Sequence, residues 1–251
     1  MTINESPYHF LSAPATPMRG NVTVHVTDLL RQAIVTLDMK PGEVIDKGAI
    51  CERLAVSRFP VSEALARLQA EGLVDILPQR GSTVSLVRIA DVLEYMLIRK
   101  ALESEAVRVV TGNHSPELTD TLQRNMSYQR AAVDIDDQQG FHERDLEFHD
   151  IILGDMSFSK VKSVIENTRA NLDRARRLIL TPRRLEVTIA EHERILEGIV
   201  SGDSRRAAGA MRAHIDSVMA ELIAFARGHP RLFADGDALG ADPAYASFPF
   251  G

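Results

Sequence analysis

Aromatic side chains and cysteine are scarce in this sequence. Its 251 residues include no tryptophan and one cysteine, Cys51, and aromatic residues make up 5% of the total. A single cysteine excludes a disulfide within the chain and a zinc site built from cysteine clusters. Because 45% of the residues are still hydrophobic, the core must consist mainly of Ala, Leu, Ile and Val. This composition favours helices over a β-sandwich.

Long apolar runs and an excess of positive charge are also missing. No run is long enough to span a bilayer, and residues 1–20 lack the basic start and apolar stretch of a signal peptide. We therefore expect a cytoplasmic protein without membrane contacts. The formal net charge of −6 argues against a protein that coats nucleic acid without specificity. The net charge of residues 21–88 is zero, however. This segment could still bind DNA if its Lys and Arg side chains lie on one face.

Helical periodicity and turn residues divide the chain into four parts. Residues 1–20 and 229–251 contain several prolines and show no periodic apolar face, which predicts a flexible arm and a flexible tail. Residues 21–88 show three short helical segments and then two strands, 73–77 and 83–87, the order of a winged helix-turn-helix. Residues 89–228 have helical patterns throughout and predict an all-α bundle of six or seven helices. The expected fold is therefore mainly α.

The third helical segment has the residues that a DNA-recognition helix needs in its first turn. Ser57 can cap the helix and contact a phosphate, and Arg58 can reach a guanine edge in the major groove. Ser62 lies one turn further along the same side. Four other candidate DNA contacts follow from geometry alone: Arg53, Arg67, and Arg80 and Gly81 at the wing tip. The alternative is a small helical subdomain with solvated arginines, because helix-turn-helix patterns give many false positives.

A second group of polar residues, in the helical part, has the types that bind divalent metals. Asp145 and His149 are four residues apart, so they lie on one helix face and can reach one ion. His192 and His214 lie on later predicted helices. Three imidazoles and one carboxylate suit zinc, nickel or another borderline metal. Spacing alone leaves open that these are ordinary histidines, since the chain has eight of them.

Several short motifs between residues 22 and 87 carry a family resemblance. They are Pro41-Gly42, VSRFPVSEAL at residues 56–65, EGLV at 71–74 and RGSTV at 80–84. This pattern closely resembles the DNA-binding domain of GntR-family repressors, and it implies Arg58 as a base contact and Ser57 as a phosphate contact. Two residues depart from it: Phe59 stands where the family usually has Thr, and Ser62 where it usually has a DNA-contacting Arg.

The helical part is similar to the FCD domain, the C-terminal ligand-binding domain of the FadR subfamily, over roughly residues 91–226. In metal-binding members an Asp-x-x-x-His motif is joined by two histidines from later helices. The residues that match are Asp145, His149, His192 and His214. The resemblance implies a divalent metal, zinc first, and a cavity in which Arg99 would bind the carboxylate of a small organic or sugar acid.

Three functions are compatible with these features. The first is a homodimeric regulator on palindromic operator DNA, in which the acid effector and the DNA change each other's affinity. Release of the operator, and so repression, is the commoner outcome in the family. The second is a metalloenzyme domain fused to a DNA-binding module, which would consume its ligand. In the third, the metal is purely structural and the effector binds elsewhere. We expect the first, and no enzyme activity.

Overall fold

A computed structural model describes residues 8–11, 22–77, 79–112, 115–156, 160–161, 164–165 and 169–237. These residues form two compact units. One comprises Met1–Val87 with Arg231–Ala234, and the other Arg88–Pro230 with Asp235–Gly251. The chain is mainly helical with one small sheet, so the predicted fold class is confirmed. Within the part of the chain described, none of the helices has the length and apolar character needed to cross a membrane.

The first unit has the element order of a winged helix-turn-helix. Its elements are α1 (Val22–Val35), β1 (Val44–Ile45), α2 (Lys47–Leu54), α3 (Arg58–Ala70), β2 (Val74–Leu77) and β3 (Gly81–Val84). Strand β3 lies between β1 and β2 and pairs antiparallel with both. The prediction missed β1, because a strand of two residues has no periodic pattern. It also placed the second hairpin strand at 83–87, whereas β3 ends at Val84.

The core of the first unit determines which face of α3 is left outside. Helix α3 packs on α1 and α2 through buried side chains at helical spacing: Val61, Ala64, Leu65 and Leu68. The side chains of Arg58, Phe59 and Ser62 are consequently exposed. At the wing tip Gly81 has a φ of +94°, a conformation that favours glycine because a side chain would be strained there.

Part of the predicted N-terminal arm packs on the first unit. Tyr8 and Leu11 are buried, and the Tyr8 hydroxyl accepts a hydrogen bond of 2.8 Å from the backbone N–H of Asp46. The guanidinium of Arg53 donates to the carbonyls of His9 and Leu11, both at 2.9 Å. The prediction of a flexible arm is therefore wrong for residues 8–11, where two apolar side chains are too few to give a periodic signal. The rest of residues 1–20 lies outside the described residues.

The second unit is a bundle of helices. They are α4 (Ile89–Thr111), α5 (Pro116–Asp134), α6 (Gln138–Asp155), α7 (Arg169–Arg177), α8 (Pro182–Val200) and α9 (Ser204–Gly228). Helix α9 packs along α4 and α8, and α5 packs on α6 and α8. Four helices begin at side chains that accept hydrogen bonds from the first-turn amides: Ser115, Asp137, Thr181 and Asp203. Three of these caps stabilise the starts of α6, α8 and α9, the helices that carry the polar cluster described below.

A close approach between α8 and α9 depends on Gly198. A Cβ added there would lie 2.7 Å from the backbone N and Cα of Ala207. We expect Gly198→Ala to lower the free energy of unfolding by about 1–3 kcal/mol, because the two helices must move apart. The control is Gly209→Ala, where a Cβ meets nothing within 4 Å and should stabilise the helix by about 0.5–1 kcal/mol. Urea unfolding followed by circular dichroism measures both, and equal effects would contradict the close packing.

The start of the predicted C-terminal tail also makes defined contacts. Residues Pro230–Leu232 form a 3-10 turn, Phe233 is buried, and the Ala234 N–H donates to the Val87 carbonyl at 2.9 Å. The Asp235 carboxylate accepts hydrogen bonds from the first two amides of α4, at 2.8 and 3.0 Å. A flexible tail is therefore wrong for residues 230–237, whose contacts are with residues far away in sequence. Residues 238–251 lie outside the described part.

Candidate metal centre and nucleic-acid interface

The start of α3 carries two of the predicted DNA contacts. Ser57 occupies the N-cap position, but its side chain makes no capping hydrogen bond, so the expected side-chain cap is absent. The first amides of α3 therefore remain available to an external acceptor such as a phosphate. Arg58 and Ser62 are exposed on the same helix.

The other predicted DNA contacts differ in their surroundings. Arg67 in the last turn of α3 is exposed, as are Arg80 and Gly81 at the wing tip. Arg53 is half-buried, and its guanidinium is bound by the carbonyls of residues 9 and 11. Arg53 therefore holds the N-terminal segment in place, which sequence reasoning missed because the two groups are far apart in the chain.

The helical unit brings four predicted metal ligands together. Asp145 and His149 lie on α6, His192 on α8 and His214 on α9. One potential ligand atom from each lies within 4.8 Å of all the others, and all four side chains are buried. The spacing of four residues aligns the first two on one helix face. Packing of α8 and α9 in the bundle supplies the other two.

Each histidine of this cluster has an acceptor oxygen close to its Nδ1 atom, and at His192 and His214 the two atoms are hydrogen-bonded. His192 Nδ1 lies 3.0 Å from Gln129 Oε1 on α5, and His214 Nδ1 lies 2.8 Å from Glu191 Oε2 on α8. His149 Nδ1 lies 2.6 Å from Glu103 Oε2 on α4. At His192 and His214 the acceptor places the proton on Nδ1 and leaves the Nε2 lone pair free, whereas His149 Nδ1 makes no hydrogen bond with a described residue. Metal-binding histidines are oriented in this way by their outer partners.

The inner atoms of the cluster lack partners of their own. His149 Nε2, His192 Nε2 and Asp145 Oδ1 are buried without a hydrogen bond from any described residue. Leaving a buried polar atom unsatisfied costs about 1–3 kcal/mol, and here several such atoms face one point. A divalent cation would satisfy them together, and nitrogen and oxygen donors in this number suit zinc or nickel. The residues present therefore fit a metal ion.

Protonation states in the cluster match those that a metal requires. Burial, together with the neighbouring histidines, lowers the pKa of His192 and His214 well below the usual range. Burial alone would raise the pKa of Asp145, but Arg176 and the surrounding histidines lower it well below its usual value. At neutral pH these residues are thus two neutral imidazoles and one carboxylate, the forms that coordinate metals.

Arg99, the predicted effector contact, is buried beside this cluster. Its Nε lies 2.5 Å from Glu103 Oε1 and its Nη2 lies 3.2 Å from Oε2. Since Glu103 also contacts His149, Arg99 is one residue removed from the cluster. An adjoining cavity of about 10 Å³ has room for about one water molecule. In this conformation the cavity is too small for an organic acid.

Two further residues of the site were not identified as such from the sequence. Arg176 on α7 donates from Nη2 to Asp145 Oδ2, and its buried Nη1 has no hydrogen-bond partner in the described structure. For Arg176 the sequence offered one indication, the three arginines within residues 174–177. Glu103 lies in a long apolar helix, where nothing in the sequence indicated a role in the site. His142 is buried but does not belong to the group of four, and burial and then Arg176 lower its pKa to about 3.

Comparison with known families agrees with this two-part structure. A family model described as bacterial regulatory proteins, gntR family, matches residues 22–84, and the FCD domain matches residues 94–217. An HTH-type transcriptional regulator in an unstable DNA locus of Streptomyces ambofaciens is 31% identical over 210 residues, 82% of this chain and 86% of the relative. The HTH-type transcriptional repressor RspR of Escherichia coli is 28% identical over 201 residues, 78% and 87% of the two chains. These families and relatives are regulators, not enzymes.

Solved structures show the same fold. A GntR regulator from Rhodococcus sp. RHA1 superposes with a TM-score of 0.69 at 19% identity, over 82% of this chain and 99% of that one. McbR/YncC of Escherichia coli gives a TM-score of 0.66 at 22% identity, over 82% and 98%. At these identities the likeness concerns the fold alone.

Proposed function

Because this chain belongs to the GntR family of bacterial transcriptional regulators and carries an FCD domain, we propose that it is a metal-dependent repressor controlled by a small acid. It acts as a homodimer on a palindromic operator and releases the DNA when the acid binds. The observation that carries the proposal is the buried group of four ligand atoms within 4.8 Å, with the outer nitrogen of each histidine next to an acceptor.

The proposed DNA contacts lie on α3 and the wing. Arg58 donates to a guanine edge, and the amides of the first turn, with the Ser57 hydroxyl, bind a phosphate. The exposed side chains of Ser62 and Arg67 and the wing tip at Arg80-Gly81 extend the contact along the duplex. Arg53 contributes indirectly, because it holds residues 9 and 11 against α2.

The proposed ligands of the metal, which we take to be zinc, are Asp145, His149, His192 and His214. When bound, the metal would supply a Lewis-acidic position for an oxygen of the effector. Arg176 is the residue best placed to assist, since its buried Nη1 lacks a partner beside Asp145. Arg99 would join it by exchanging part of its contact with Glu103 for a carboxylate.

Effector entry must widen the cavity, because the present one holds about one water molecule. The acid therefore selects a bundle conformation in which the helices around Arg99 and Arg176 are further apart. An effector shifts the equilibrium between two such conformations only if it binds one of them more tightly than the other. Operator DNA must in turn change the affinity for the acid by the same factor.

Melting-temperature measurements against short carboxylic and sugar acids test this proposal. We expect at least one acid to raise the melting temperature of the metal-loaded protein by several degrees, the shift for about 2–3 kcal/mol of binding at saturation. After chelation the same acid should give no shift. An acid that stabilises both forms equally would indicate a structural metal. Consumption of the acid, followed by NMR, would indicate an enzyme, and no hit in either form would contradict the effector proposal.

A further inference from the structure

Among the described residues of the first unit, the most exposed large apolar side chain lies in the first turn of α3. This side chain is Phe59, which is 72% exposed. Aromatic residues are scarce in the chain, at 5% of the total. The buried stripe of α3 faces the other way, and Pro60 next to Phe59 is buried. Phe59 therefore has no part in the core of its own unit. Its position beside Arg58, in the first turn of the proposed recognition helix, is where bound DNA would meet the ring.

The other exposed side chains of α3 are polar or small. Ser62 and Ala66 follow it at i+3 and i+7 along the same side of the helix, and both are exposed. Glu63 and Arg67 are exposed on α3 as well, so Phe59 is the one large apolar side chain on the outer side of this helix. The first turn therefore carries the guanidinium of Arg58 next to the ring of Phe59.

The major groove offers an apolar ring one distinctive partner. Each base pair shows hydrogen-bonding groups at its edge, and only thymine adds a methyl group, at C5. The N-terminal turn of a recognition helix is the part that reaches base edges. We infer that Phe59 is a specificity-determining residue that packs against a thymine methyl in each half-site, next to the base that Arg58 contacts. This inference rests on the proposed use of α3 as the recognition helix.

Deoxyuridine, which differs from thymidine only by that methyl group, tests the inference. Full-length protein first selects an operator from a random duplex library, and each thymine of one half-site is then replaced singly by uracil. Fluorescence anisotropy at fixed salt measures Kd. We expect one replacement to weaken binding about fourfold, the effect of one buried methyl-sized group. For Phe59→Ala the thymine and uracil operators should bind equally.

Two control variants separate this inference from its premise. Val44→Ala removes another exposed apolar side chain of the same unit, 67% exposed on β1, and should keep the thymine preference. Arg58→Ala should weaken binding to both operators while preserving their ratio. The role of Phe59 would be overturned, but its premise would not, by either of two results. One is equal affinity of the unmodified protein for thymine and uracil at every position, and the other is a thymine preference that survives in Phe59→Ala. Full affinity of Arg58→Ala for the selected operator would overturn the premise as well.

Discussion

We expect His192→Ala to lack the proposed divalent metal after purification and to melt about 10 °C below the unmodified protein. A metal present at roughly 1,000 times its Kd contributes about 4 kcal/mol to the stability of the folded state, and each kcal/mol shifts the melting temperature of a chain of this size by about 2–4 °C. Loss of a residue that only orients a ligand already weakens metal affinity by about 10–100-fold. Loss of the ligand itself should exceed that. Elemental analysis and calorimetry measure the two effects.

His142→Ala is the matched control for this experiment. His142 is as deeply buried as His192 and lies on the same helix as Asp145, but it is not one of the four clustered residues. Both substitutions leave a similar cavity, so any difference between them reports the metal. We expect His142→Ala to keep its metal and to respond to chelation, whereas His192→Ala should not respond. Equal metal content in the two variants would remove His192 from the set of ligands.

Arg58→Ala will weaken binding to the selected operator about 100-fold. A bidentate contact between arginine and guanine contributes about 1–3 kcal/mol of discrimination, and a homodimer loses one such contact in each half-site. Two losses of about 1.4 kcal/mol give this factor. Affinity for random DNA should change little, because it comes from phosphate contacts that are independent of sequence. Titration of both duplexes at the same salt concentration gives the ratio.

Arg227→Ala controls for the loss of a positive charge. Arg227 is exposed at the end of α9, in the helical unit, and its replacement should leave both affinities unchanged. If Arg58→Ala reduced operator and random-DNA binding by the same factor, Arg58 would be a phosphate contact and not a base contact. Melting temperatures close to that of the unmodified protein are expected for both variants, because both side chains are exposed.

Residues whose roles follow from local spacing could be predicted from the sequence. The apolar stripe of α3 has the period of a helix, with buried residues at positions 61, 64, 65 and 68. Asp145 and His149 are separated by about one helical turn. Helix starts at Pro116 and Pro182 are marked by the capping residues before them. The family resemblance joined His192 and His214 to the pair, and the bundle brings all four together.

Residues whose roles depend on distant partners could not be predicted. Glu103 and Gln129 meet His149 and His192 across the bundle, and their own sequence neighbourhoods are those of ordinary helices. Asp235 binds the first amides of α4 from 146 residues away. Arg53, a predicted DNA contact, also donates hydrogen bonds to the carbonyls of His9 and Leu11, which its own neighbourhood does not indicate. In each case tertiary packing, which has no local pattern, determines the partner.

Burial of the four clustered side chains also has a kinetic consequence. Water reaches none of them appreciably, since each is at most 2% exposed, and they are held on three different helices. An ion held there could leave only when those helices separate, so its exchange rate would be set by local opening of the bundle and not by the strength of the individual bonds. The bound metal would then be the one that was available when the chain folded. Replacement by a tighter-binding metal added afterwards would then proceed no faster than this opening.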